Sequence, residues 1–586
     1  MMPSVNDNGS PEKKLAWLRS QVIGGNADFS SPFGKRRITY ADTTASGRCL
    51  HYIENYITTE VLPFYGNTHT SDSYVGRRST KMLYEATRYI HRCLGSGRNN
   101  ALLFCGSGST AAIKRLQEVM GIAIPATLRD IAVRFLREEE RWVVFVGPFE
   151  HHSNLLSWRQ SLAQVVELGI SEDGSVDMEA LRLELEHYKD TNRPMLGSFS
   201  ACSNVTGICS DTRALARLLH QYGAFACFDF ATSGPYVEID MRSGEVDGYD
   251  AIFLSPHKFI GGPGSPGILL VSKDLYQLKA FAPSTCGGGT VAYVNGFSEE
   301  DTLYLEDIEE RESAGTPPII QTIKAALAMW VKEHIGYKTI EEQEHVHIQR
   351  AMKRLGENKR IQILGNTSVK RQAILSFLVH PLENDKPLHG PFVSKLLNDL
   401  FGIQARGGCA CAGPYGHTLL RIDKDHSLAF RSAIQQGYVG VKPGWARISF
   451  PYYMLTEELE FILAAVEFIA NYGQRFLALY HFNWKTGSWS FSKAAFSRAL
   501  GLAKENWRGR EFCNQQKTLI SNSMQELNLK CHEAKEFKYA GTKAGDLIHE
   551  FASYLDTAMS IADLLPASLT PRRIPEDLDV DLPFMI

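Results

Sequence analysis

The sequence predicts an α/β protein: a large domain on a mostly parallel sheet, followed by a smaller α+β unit. Three observations predict it. Between residues 36 and 330, LLFCG (102–106), RWVVFVG (141–147), FACFDF (225–230), AIFLS (251–255) and GILLV (267–271) are continuous apolar runs bounded by Gly, Pro or Ser. That is the pattern of buried strands. Helical stretches such as STAAIKRLQEVMGI and DTRALARLLHQYG lie between several of them, and strands alternating with helices build parallel sheets. Further on, the strand candidates AILSFLV (373–379) and WARISF (445–450) and the amphipathic helix TEELEFILAAVEFIANYG mark the second unit.

These elements divide the chain into four parts. Residues 1–35 are polar and turn-rich and form an N-terminal arm. Residues 36–330 make the large domain, 331–480 the smaller one, and 481–586 a helical extension of unassigned role. TPPIIQTIKAALAMWVKEHIG, near the junction of the two domains, reads as a long helix with proline in its first turn.

Length and composition narrow the class. At 586 residues, 44% apolar and 22% charged, the chain reads as a soluble globular protein of more than one domain. A formal net charge of -3, with no long run of one sign, argues against a nucleic-acid-binding surface as the main function. No apolar stretch reaches the ~18 residues that span a bilayer, and the N-terminus lacks the apolar core of a secretory signal. The eleven scattered cysteines then read as reduced thiols, and the expectation is a cytoplasmic enzyme with no membrane partner.

Five segments carry chemistry. In DAIFLSPHKFIGGPGSPG, Lys258 follows an apolar strand, which puts its amine at the sheet edge where α/β proteins bind ligands. A partly desolvated lysine there attacks carbonyls; the alternative is a solvent-facing loop lysine. In FACFDFATSGP, Asp229 ends a strand, where a buried carboxylate needs a cationic partner such as a pyridinium nitrogen, or else caps the next turn. LLFCGSGSTAAIKRL runs a strand through Ser109 and Thr110 into a helix, a start that suits a phosphate or is a plain helix cap. In PFEHHSNLLSW, His151 can lie against an aromatic cofactor and move protons, or pair structurally with His152. No cluster completes a metal site. FGIQARGGCACAGPYGH sets Cys409 and Cys411 in a Gly-rich turn beside the cation of Arg406, which favours a thiolate; two inert residues in a tight turn are the alternative.

The order and spacing of these segments resemble the class V aminotransferases, and within them the cysteine desulfurase and selenocysteine lyase branch, over residues 36–475. The family's S-x-H-K stands here as Ser255-Pro256-His257-Lys258, its E-H-H-x-N as Glu150–Asn154, and its S-N-x-x-G as Ser203–Gly207. The R-x-G-x-x-C motif reads Arg406-Gly407-Gly408-Cys409-Ala410-Cys411. The Gly-Cys-x-Cys form of that loop is similar to the desulfurase domain of molybdenum-cofactor sulfurases. The segment after residue 480 is shorter than their further domain and has no such likeness.

The resemblance implies a fold-type-I architecture with a mixed seven-stranded sheet, a homodimer, and pyridoxal 5′-phosphate (PLP) as cofactor, bonded by Lys258. It implies Asp229 on the pyridine nitrogen, His151 over the ring, and Asn204 facing the cofactor. Thr232 stands where the family often has a glutamine near the ring oxygen. Ser109, Thr110, Ser255 and His257 fall at the phosphate, and Arg447, with Arg406, at the substrate carboxylate. The implied reaction takes sulfur from L-cysteine onto Cys411 as a persulfide and leaves L-alanine, with an acceptor protein or cofactor to follow. Alternatives are a PLP-dependent C–S lyase, an epimerase or a transaminase without a cysteine nucleophile, or an inactive scaffold.

Overall fold

The structure, a computed structural model, describes residues 9–298, 301–381, 386–506, 544–567, 572 and 574–586. Cys513, Cys531 and residues 507–543 of the expected extension lie outside the described residues.

Seven strands form the central sheet of the large domain: β1 (Asn100–Cys105), β2 (Val143–Val146), β3 (Gln164–Glu167), β4 (Met195–Ser200), β5 (Phe225–Asp229), β6 (Ala251–Leu254) and β7 (Gly267–Ser272). Their order is β1-β7-β6-β5-β4-β2-β3. The run from β3 through β6 is parallel, whereas β7 pairs antiparallel with both β1 and β6, so the sheet is mixed. Every residue of β2, β4, β6 and β7 is buried, as expected of strands covered by helices on both faces. Helices α1 (Gly108–Val119), α2 (His152–Arg159) and α3 (Thr212–Gln221) supply part of that cover, and α4 (Ile319–Ile335) buries most of its length against the large-domain core.

Two of these strands are not apparent in the sequence. β3 is an edge strand with a glutamine and a glutamate at its ends. β4 reads MLGSFS, and its small polar residues break the apolar run. Each buried hydroxyl has a partner: Ser198 donates to Asn154 Oδ1 (2.6 Å) and Ser200 to Glu150 Oε2 (2.6 Å).

The second sheet is antiparallel, with β8 (Ile361–Ile363), β9 (Ile374–Val379), β10 (Arg406–Gly408) and β11 (Trp445–Ser449) in the order β8-β9-β11-β10. Helices α5 (Gly390–Phe401) and α6 (Thr456–Tyr472) cover it. The later helix α7 (Ala544–Leu564) joins the same apolar core, where Phe551 stacks on Phe461 with ring centroids 3.9 Å apart. At the N-terminus, helix Pro11–Gln21 buries Leu15 and Leu18, and Trp17 meets Trp330 of α4 edge-on. No helix among the described residues is long and apolar enough to cross a membrane.

Candidate active site

The parallel strands end at one edge of the sheet, and the site is built there, where α/β sheets bind ligands. A cavity of about 200 Å³ opens among the residues that follow β1, β2, β4, β5 and β6. After Leu254 the chain turns through Ser255 into a short 3₁₀ turn, Pro256–Lys258, held by the Lys258 amide on the Ser255 carbonyl (2.9 Å). This turn brings Lys258 to the cavity wall. Burial lowers its amine to about 8; Asp229 opposes that shift, and Arg447 and Arg406 add to it.

Asp229 is the last residue of β5 and is buried. Its Oδ1 accepts the Ala231 amide (2.9 Å). Burial raises the carboxyl above its ordinary range, and the Ala231 bond and Lys258 pull the other way. A carboxylate so placed gains from a cation in the cavity, because an uncompensated buried charge is costly.

His151 caps the N-terminus of α2: its Nδ1 accepts the Ser153 amide (3.2 Å). That acceptor role fixes the neutral ring as the Nε2–H tautomer. Burial, with Lys258, His152 and Arg447 nearby, lowers its pKa to about 4, so the ring is uncharged at neutral pH. His152 serves elsewhere: its Nε2 accepts the Gly413 amide at 2.9 Å. The adjacent histidines therefore diverge. Beneath them Glu150 is buried, accepting the Ser200 amide (2.8 Å), Ser200 Oγ and the Asn154 side chain (2.6 Å each), and burial pushes it up to about 7.

The start of α1 closes one end of the cavity. Gly108 has φ +57°, and a Cβ there would lie 2.7 Å from Ser255 Oγ, so glycine is required. The Ser109 amide donates to Ser255 Oγ (2.8 Å), and Thr110 Oγ1 meets Ser153 Oγ at 2.7 Å. His257 and Thr232 also line the cavity. A helix N-terminus ringed by hydroxyls matches the donor set of a phosphate.

The cysteine loop is fastened to this wall. Asn204 lines the cavity, and its Nδ2 donates to the Ala410 carbonyl (2.7 Å). The His152 amide donates to the Cys411 carbonyl (2.9 Å). Cys411 is exposed, and both Ala410 (φ +51°) and Cys411 (φ +57°) adopt the left-handed conformation. Two consecutive non-glycine residues in that region are strained, a state common at functional turns.

Arg447, on β11, lies behind the cavity wall. Its Nη1 donates to the Asn204 carbonyl and its Nη2 to Asp42 Oδ1, both at 2.9 Å. Arg406, on β10, holds the same carboxylate through Nε (3.1 Å) and Nη2 (3.0 Å). Sequence reasoning missed Asp42, Glu150 and His152. Asp42 gains its side-chain partners only through contacts distant in sequence, and Glu150 gains Ser200 that way, although the EHH run held a signal for the last two.

A family model, aminotransferase class-V, matches residues 39–462. The chain belongs to the class-V aminotransferase family. Every site residue from Asp42 to Arg447 falls within the match. The chain is 26% identical over 352 residues to a probable cysteine desulfurase 2 of Mycobacterium leprae, covering 59% of this chain and 77% of that one. It is 26% identical over 411 residues to a probable cysteine desulfurase of Halalkalibacterium halodurans (70% and 89%). Its fold matches an apo cysteine desulfurase of Thermococcus onnurineus NA1 with a TM-score of 0.61 at 21% identity, over 80% of this chain and 99% of that one. Cysteine desulfurase CsdA of Escherichia coli matches with a TM-score of 0.54 over 73% and 93%. Class-V aminotransferases are PLP enzymes of fold type I, and the β1-β7-β6-β5-β4-β2-β3 mixed sheet is that fold.

Proposed function

We propose that this member of the class-V aminotransferase family is a PLP-dependent cysteine desulfurase that moves sulfur from L-cysteine onto Cys411 and releases L-alanine. The observation that carries the reading is the fastening of the Cys411 loop, by Asn204 and His152, to the wall of the Lys258–Asp229 cavity. The cysteine desulfurases among its relatives support it.

The residues present fit PLP. Lys258 would bond it, Asp229 would hold its ring nitrogen protonated, and the uncharged His151 ring would cover it. Ser109, Thr110, Ser255 and His257 would hold its phosphate, with Thr232 and Asn204 at the ring. When bound, the cofactor supplies an electron sink conjugated with the substrate Cα. Lys258 Nζ then takes the Cα proton, a task suited to an amine whose burial leaves part of it unprotonated near neutral pH. The substrate thiol gives its proton to the neutral His151 ring, which takes it at Nδ1, the nitrogen that carries none, by way of Ser153 Oγ (3.0 Å from Nδ1).

The thiolate of Cys411 attacks the substrate sulfur. The Sγ–S bond forms and the Cβ–S bond breaks. The electron pair stays on Cβ, which takes a proton to complete alanine, and a thiol-bearing acceptor later removes the outer sulfur. The protein is expected to act as a homodimer.

The reading is tested by giving purified protein L-cysteine and a reductant and measuring alanine and sulfide. Wild type is expected to release the two in equal amounts. Cys411→Ala should lose both while keeping the bound-PLP absorbance band, and Lys258→Ala should lose turnover and the covalently bonded band. Pyruvate in place of alanine, or full activity in Cys411→Ala, overturns the reading.

A further inference from the structure

We infer that Asp42 is a resident counter-ion that occupies the substrate-carboxylate position on Arg447 and yields it when substrate binds. The inference rests on the amino-acid substrate proposed above.

Register creates the need for an anion. β10 and β11 pair antiparallel with Arg406 directly opposite Arg447. Like charges directly opposite in a sheet repel. Asp42 reaches the pair because two sets of backbone contacts bring it there. Thr39–Tyr40 pairs in parallel with Ile403–Gln404, just before Arg406, and the Ser449 amide donates to the Ala41 carbonyl (2.8 Å). One carboxylate then faces two guanidinium groups, which leaves the cluster one negative charge short.

The two bonds are unequal. Asp42 holds Arg406 through both Nε and Nη2, but Arg447 only through Nη2. Arg447 Nε is buried without a partner in a side chain only 3% exposed. Nε and Nη2 form the edge on which an arginine receives a carboxylate in bidentate fashion. On Arg447 that edge is half bonded to Asp42 and half without a hydrogen-bond partner. A substrate carboxylate fills it by breaking a single 2.9 Å contact, while Asp42 stays on Arg406. Each guanidinium then has its own carboxylate, and the charge shortfall is gone. Arg406, with its side chain 47% exposed, can hold Asp42 while both shift.

The test is Asp42→Asn in the PLP-loaded enzyme, which removes the competing charge and little volume. Removing one charge-assisted contact that substrate must otherwise break predicts a KM for L-cysteine about tenfold lower. The KM for cysteamine, which has the amine and thiol but no carboxylate, is expected to stay unchanged. Binding of propionate, read as a shift in thermal midpoint, should tighten by a similar factor. That readout does not require desulfurase activity, so it separates failure of this inference from failure of the proposed function. A raised KM for cysteine with weaker propionate binding overturns the inference, because Asp42 then builds the site instead of occupying it. Equal changes for cysteine and cysteamine, or no change in either ligand, overturn it as well. If Asp42→Asn does not fold, Asp42→Glu keeps the charge and is expected to bind propionate as weakly as wild type; tighter binding by that variant refutes the idea.

Discussion

At the scale of single residues, burial sets the charge states of this site. Lys258 is held near 8, Glu150 near 7 and His151 near 4, each chiefly because a charge is costly away from water. The site therefore keeps an uncharged imidazole and a partly deprotonated amine at neutral pH. Local backbone strain is the second residue-scale feature. Relieving the left-handed conformation at Ala410 by Ala410→Gly is expected to stabilise the protein by about 1 kcal/mol. A urea midpoint that stays put or falls would show that the turn is not strained. These roles were legible in the sequence to unequal degrees. Lys258, Asp229, His151 and the hydroxyls of Ser109, Thr110 and Ser255 end or follow strands whose apolar runs stand out, and all of them line the cavity. Arg447 and Arg406 were legible as arginines but not as partners of Asp42, because that contact spans 405 and 364 positions of sequence.

At the scale of elements, strands with continuous apolar runs could be read and those with buried hydroxyls could not. β4 escaped notice because Ser198 and Ser200 support Asn154 and Glu150, which fix the wall behind His151. The polar residues that hid the strand belong to the site's support. The same logic holds around His389, next to α5. Its Nδ1 accepts the Trp489 indole N–H (3.0 Å), its ring stacks on Phe584, and burial lowers its pKa to about 3. The folded protein therefore keeps His389 neutral where the unfolded chain protonates it. Below an ordinary pKa of 6.5 the unfolded state binds the extra proton, so stability is lost as pH falls from about 6.5 toward 3. For this group the loss is about 2 kcal/mol by pH 5. Urea titrations at pH 7.5 and pH 5 should therefore show a smaller drop in His389→Gln than in wild type, and equal drops would refute the assignment.

At the scale of the whole molecule, the C-terminal segments complete the core of the smaller domain. Phe551 lies flat on Phe461, and Tyr554 reaches the antiparallel hairpin of Asp28–Ser31 and Gly34–Arg37, where its hydroxyl accepts the Arg37 amide (3.1 Å). Removing one face of a buried aromatic stack costs about 3–5 kcal/mol. Phe551→Ala is thus expected to lower the thermal midpoint by several degrees although it lies far from Lys258; a midpoint within a degree of wild type would show that α7 is only loosely attached. Near the other end of this segment, Met585 bridges to Leu388, and its amide donates to the Pro387 carbonyl (2.7 Å). This has a consequence for biosynthesis. All seven strands of the central sheet precede residue 273, so that sheet can form while translation continues. The core of the smaller domain takes in α7 residues such as Phe551 and Leu555, so it is completed later, and the Cys411 loop sits between β10 and β11 of that domain. The strands that line the cavity are therefore made before the β10–β11 unit that carries the thiol.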